Sequence, residues 1–138
     1  MNNNLGSTIL EVNGGQMDIK FLNSNGTIED YLTLLQNGTP AVNWTNPSNN
    51  KVFINRDPIT LSATASDSDG TVTQVEFFVN GSAIGIDNTA PYSMNWTPPS
   101  FAEYTLKVVA TDNAGMTGTK IINITAVSYT HLTLPTKA

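Results

Sequence analysis

Apolar and polar residues alternate in short runs between Pro40 and Ala126, and the runs are separated by clusters of turn residues. The cleanest spans Glu103 to Gly115 (EYTLKVVATDNAG). Tyr104, Leu106, Val108 and Ala110 fall on one face, at the period of two that a half-buried strand requires. Its β-branched and aromatic content suits a pleated, packed surface, and Asp112-Asn113-Ala114-Gly115 supplies the turn that ends it. The same reading predicts strands over residues 41–45 (Val42 and Trp44 inward), 59–66 (Ile59, Leu61, Ala63, Ala65), 72–79 (Val75, Phe77, Val79), 82–86, 92–97 (Tyr92, Met94, Trp96) and 116–126 (Ile121 or Ile122 leading inward). Asn46 to Asn50 reads as a polar, proline-containing loop, and Asp67-Ser68-Asp69-Gly70 and Asn80-Gly81 as tight turns. About seven short strands at spacings of roughly 8 to 12 residues, with no competing helical period, predict an all-β sandwich.

A second pattern occupies the first 35 residues. STILEV, QMDIKFLN and TIEDYLTLL are joined by Asn13-Gly14-Gly15 and by Asn23-Ser24-Asn25-Gly26, both strong hairpin signals. They predict a three-stranded meander with Ile9, Met17, Ile19, Phe21, Ile28 and Leu32 as its apolar face. That face is too small to be stable alone and is expected to pack against something outside this chain. Gln36 to Pro40 (QNGTP) has linker composition and divides the chain into a meander over 1–38, a sandwich over 39–126 and a tail over 127–138.

Composition narrows the function classes. The 138 residues carry six Lys plus Arg against 11 Asp plus Glu, a formal charge of -5, which disfavours nucleic acid and an anionic membrane surface as partners. With no cysteine there is no disulfide framework, thiolate nucleophile or Cys-based zinc site, so packing must hold the core. The sole histidine, His131, lies in the tail, so no Ser-His-Asp arrangement can be built. The glycine pairs open hairpins rather than helices, which removes phosphate-cradle readings. No apolar run is long enough to span a bilayer, and MNNNLGSTIL is not a signal peptide. The abrupt opening on a strand-like run reads as a fragment of a longer protein.

The candidate chemistry is acidic. Threaded as a sandwich, Asp67 and Asp69 fall in the loop after the second strand, Asp87 in the loop after the fourth and Asp112 at the end of the opening strand, all at the rim where the chain enters from QNGTP. Together with Asn113 and loop carbonyls they are a candidate calcium site, because calcium takes six to eight hard oxygens. The competing reading is that each aspartate caps its own turn. Trp44, Phe77, Tyr92, Trp96 and Tyr104 share the inward face with Val and Leu and read as core rather than as a sugar platform. Phe78 and Phe101 are the aromatics expected outside. Tyr104 is expected to bond backbone across the corner before its strand.

ITLSATASDSDGTVTQVEFFVNG, APYSMNW and YTLKVVATDNAG, in that order and spacing, resemble the bacterial immunoglobulin-like domains found as modules in secreted enzymes and surface proteins. The resemblance implies an immunoglobulin-like sandwich and a non-catalytic spacer or interaction module of a secreted, multidomain protein, with neighbouring domains as partners and polysaccharide as a further candidate partner. LEVNGGQMDIKFLNSNGTIEDYLTL, Leu10 to Leu34, resembles the C-terminal strands of secreted calcineurin-like metallophosphoesterases. It implies a parent of that kind, whose metal ligands would lie upstream. Val127 to Thr136 (VSYTHLTLPT) resembles the translation of a sequencing adaptor, which sets that tail and His131 aside from functional argument.

Overall fold

The computed structural model describes residues 6–13, 16–35 and 37–129. The chain falls into two compact units, Met1–Gly38 and Thr39–Ala138.

The first unit is an antiparallel sheet of β1 (Ser7–Asn13), β2 (Gln16–Leu22) and β3 (Ile28–Leu35), with β2 in the middle. Its register corrects the expected apolar face. Leu10 pairs with Ile19 and Ile19 with Leu32, while Val12 pairs with Met17 and Met17 with Leu34. Leu10, Val12, Met17, Ile19, Phe21, Leu32 and Leu34 therefore share one face. Ile9 stands opposite Lys20, and a bulge after Phe21 sets Leu22 opposite Ile28, so Ile9 and Ile28 lie on the other, polar face. Pairing Asn13 with Gln16 fixed this outcome, because a one-residue change of register would have exchanged the faces. The polar face carries the Lys20 Nζ to Glu11 Oε2 ion pair at 2.6 Å, and Asp18 Oδ1 accepts from Gln16 Nε2 and Thr33 Oγ1.

The second unit is a two-sheet sandwich. One sheet has the order β5-β11-β10-β7-β8 and the other β4-β6-β9, with β4 (Ala41–Asn46), β5 (Lys51–Ile54), β6 (Ile59–Ser66), β7 (Val72–Val79), β8 (Ser82–Asp87), β9 (Tyr92–Trp96), β10 (Glu103–Asp112) and β11 (Thr117–Val127). The strand predicted at Glu103 is the centre of the larger sheet, paired with β11 on one side and β7 on the other. Phe77, Leu106, Ile124, Val75 and Val108 of this sheet and Leu61 of the other are among the fully enclosed side chains between them. Two edge-to-face aromatic pairs bridge the sheets, Trp44 to Phe77 at 5.8 Å and Trp96 to Tyr104 at 5.0 Å.

Three details refine the expectation. The segment KVFI forms β5, which runs parallel to β11 with Lys51 beside Ile124; four residues with no alternation gave no strand signal. Of the two isoleucines left open, Ile122 is inward at 6% exposure and Ile121 outward at 55%. Of the tail, Val127 closes β11 beside Ile54, while residues 130–138, including His131, lie outside the described residues.

Two corners fix the strands to one another. The Tyr104 hydroxyl donates to the Ser100 carbonyl at 2.8 Å and accepts from the Ser100 N–H at 3.1 Å, as expected of a tyrosine at this corner. At the β7–β8 turn Asn80 and Gly81 both have positive φ, the conformation an Asn-Gly hairpin needs. Asn80 Oδ1 accepts from the Thr105 N–H at 2.9 Å, clipping that turn to β10.

Truncating Phe77 to alanine removes both a core ring and the partner of Trp44, so a loss of about 3–5 kcal/mol is expected in denaturant unfolding. Ile121→Ala on the outer face should cost under about 0.5 kcal/mol. Similar costs for the two would contradict the assignment of inner and outer faces.

Candidate functional site

The acidic rim forms where two turns lock together. Asp112 ends β10 and is 3% exposed. Its Oδ1 accepts from the N–H groups of Ala114 and Met116, both at 2.8 Å, and Gly115 at φ 83° completes the turn. Next to it, Asn113 exchanges two bonds with Thr71: Asn113 Oδ1 accepts from the Thr71 N–H at 2.8 Å, and the Asn113 N–H donates to the Thr71 carbonyl at 2.9 Å. Gly70 passes so close that a Cβ there would collide with Asn113 Oδ1 and Asp67 Oδ2. The loop of Asp67 and Asp69 is thus docked on the turn of Asp112.

Asp67 is the exception to this pattern of satisfied groups. Its Oδ1 is buried and, among the described residues, has no hydrogen-bond partner. Burial raises its carboxyl above the usual range, the Asp69 side chain and the charge of Asp112 act in the same direction, and the Asp69 backbone N–H opposes them in part. Asp87 is held the opposite way. Its Oδ2 accepts from the Ser93 N–H at 2.9 Å and its Oδ1 from the Thr89 N–H at 3.0 Å, which lower its carboxyl below the usual range.

The four predicted aspartates therefore divide. Asp67 and Asp69 come together with Asp112 in electrostatic reach, whereas Asp87 is turned to its own loop. Asp87 and Asp112 each cap a turn, the competing role stated for them above. Among the described residues no three His, Cys, Asp or Glu side chains are grouped so as to hold a metal ion.

The aromatic residues fall as expected for the core: Phe77, Tyr92 and Tyr104 are buried and Trp44 and Trp96 pack against them. Phe101 is exposed, with the Arg56 guanidinium 5.4 Å from its ring centre. Phe78 is half-buried on the outer face of the larger sheet, and Lys107 Nζ lies 4.1 Å from its ring centre.

The same outer face holds a feature that sequence reasoning missed. A groove of about 460 Å³ is lined by Asn50, Glu103, Thr105, Asn123 and Thr125, with Tyr104 and Ile124 along its floor. Thr105 Oγ1 donates to Asn123 Oδ1 at 3.0 Å, and Asn49 Oδ1 accepts from the Asn123 N–H at 2.9 Å. The available signal was the Asn and Thr content of the outward positions in β10 and β11, which read only as solvent-facing.

The two-sheet sandwich, the tyrosine corner and the turn-capping aspartates together define an immunoglobulin-like module. The bacterial Ig domain family model matches residues 40–108. The chain belongs to that family. It is similar to chitinase ChiA of Flavobacterium johnsoniae, at 38% identity over 109 residues, a match that covers 73% of this chain and 7% of the chitinase. It thus spans only a small part of that relative's length. Among solved structures it is similar to the fibronectin(III)-like modules of Clostridium thermocellum CbhA, with a TM-score of 0.59 and 31% identity over 64% of this chain and 98% of the module. The PKD1 domain of Vibrio anguillarum Epp overlaps at TM-score 0.48 and 19% identity, covering 67% of this chain and 99% of that one.

The two shifted aspartates predict opposite pH dependences. Asp67 binds its proton more readily in the folded state, so its ionisation destabilises the fold above the raised value, and that penalty is relieved as pH falls toward the ordinary carboxylate range. Asp87 contributes stability above the ordinary range, and the contribution is lost as pH falls through its lowered value. Thermal melts from pH 3 to 7 should show Asp67→Asn most stabilising at pH 7 and Asp87→Ala most destabilising there, with both differences shrinking in acid. The reverse ordering would contradict the assignment.

Proposed function

We propose that this chain is an accessory module of a secreted, multidomain bacterial polysaccharide hydrolase. It acts as a spacer or interaction surface between the catalytic domain and its neighbours. The observation that carries this reading is the 38% identity to a stretch amounting to 7% of a chitinase: the same module recurs as a minor part of a much longer enzyme. On this reading the parent acts on chitin or a related insoluble polysaccharide, and the module works outside the cell. The resemblance of Leu10 to Leu34 to metallophosphoesterase strands supports an alternative parent for the whole chain, a secreted metallophosphoesterase with this module as its accessory domain, and the catalytic domain encoded in the parent reading frame separates the two. Deleting residues 39–129 from the parent should leave turnover of a soluble oligosaccharide unchanged, since the catalytic groups lie elsewhere. A collapse of that turnover with the remaining domains still folded would overturn the proposal.

A second reading places calcium at the Asp67–Asp69 loop. The buried, unpartnered Asp67 Oδ1 favours it, because an oxygen ligand to a hard cation would satisfy that atom and favour its ionised form. The expected outcome is a higher melting temperature in millimolar calcium than in chelator, abolished by Asp67→Asn. No rise would remove the reading.

A further inference from the structure

We propose that the groove across β10 and β11 binds a neutral glycan, with Ile121 in the row beside it as an apolar contact; this rests on the accessory-module reading above. The register places the parts. Thr105 pairs with Asn123, and Glu103 with Thr125, so these four side chains stand together on the outer face. One step along, Lys107 pairs with Ile121 on one side and Phe78 on the other. A polar trough therefore runs alongside the exposed Ile121, with the Lys107 ammonium beyond it lying over the Phe78 ring.

The trough's polar groups match hydroxyls. Asn123 Oδ1 is engaged by Thr105 Oγ1, which leaves the Asn123 amide donor and the free lone pairs of Thr105 facing the groove. Asn50 and Thr125 can each donate and accept, and Glu103 adds a carboxylate acceptor. Mixed donors and acceptors with one carboxylate suit a chain of hydroxyls, each of which donates and accepts. The exposed Ile121 side chain suits the C–H face of a pyranose, and the volume of about 460 Å³ lies within the usual range for small-ligand sites.

Other occupants fit less well. A phosphate-bearing polymer would meet Glu103 on a protein of charge -5. A divalent cation would find one carboxylate where several oxygens are needed. An added peptide strand needs unpaired backbone, and the floor is already paired between β10 and β11 from Glu103–Thr125 through Thr111–Thr117.

The test uses the 138-residue chain in pull-downs on insoluble chitin and cellulose, with chitohexaose titrated into the ¹⁵N-labelled protein by NMR. Retention on at least one polysaccharide is expected. Glu103→Ala combined with Asn123→Ala should weaken it about tenfold, while Gln74→Ala, further along the same outer face, should leave it unchanged. Chitohexaose should shift amide signals at 103–107 and 121–125, a readout that does not depend on any variant folding. Absence of retention together with absent shifts would overturn the glycan site, as would binding unaffected by the groove substitutions. The accessory-module proposal fails separately, on a parent that encodes no hydrolase domain.

Discussion

The sandwich depends on the dry seam between its two sheets. Without a disulfide to constrain the unfolded chain, the fold rests on the alternate residues of β6, β7 and β10 meeting across a core of interior thickness. Leu61, Phe77, Leu106 and Val108 are fully enclosed there. The bridging aromatics do more than fill volume. Trp44 on Phe77 and Trp96 on Tyr104 tie the small sheet to the large one at separate places along the seam, and edge-to-face pairs of this kind contribute roughly 0.5–1.5 kcal/mol beyond burial. The two contacts oppose sliding of one sheet over the other.

A seam this regular demands that every strand stop at the right residue, and the turn chemistry supplies those stops. Asp112 replaces the ladder at the end of β10 by accepting from two N–H groups of its own turn. Asn113 then holds the preceding loop, and at the opposite end Asn80 holds β10 through Thr105. The rim's polar residues therefore have a structural purpose before any ligand is considered. Asp67 stands apart because its buried oxygen gains nothing from that network.

Much of this was legible because inward positions obey a period of two. The central strand, the aromatic core and the tyrosine corner follow from alternation and corner geometry. Other features depend on contacts that no local pattern encodes. β5 is four residues long and finds its place only because β11 offers an edge beside it. Ile121 and Ile122 are chemically equivalent in sequence, and pairing with Lys107 and Leu106 decided which faced the core. In the meander, hydrophobicity alone puts Ile9 on the apolar face, yet register sets it opposite Lys20. For the acidic residues, topology says in which loops Asp67, Asp69, Asp87 and Asp112 fall, but the direction of the Asp87 side chain depends on its bonds to Thr89 and Ser93, which no local pattern encodes.

The outward positions are where such a module can acquire a role, because the inward ones are committed to the seam. On β10 the inward residues are Tyr104, Leu106, Val108 and Ala110, and each is enclosed. Glu103, Thr105 and Lys107 alternate with them and are free to differ without disturbing the core. An outer face selected only for solubility would be served by scattered charge. Here it instead gathers amides and hydroxyls in a trough and sets Ile121, Lys107 and Phe78 in a single row beside it. The pairing that builds the fold is also what sets the polar rungs of β10 and β11 beside that row.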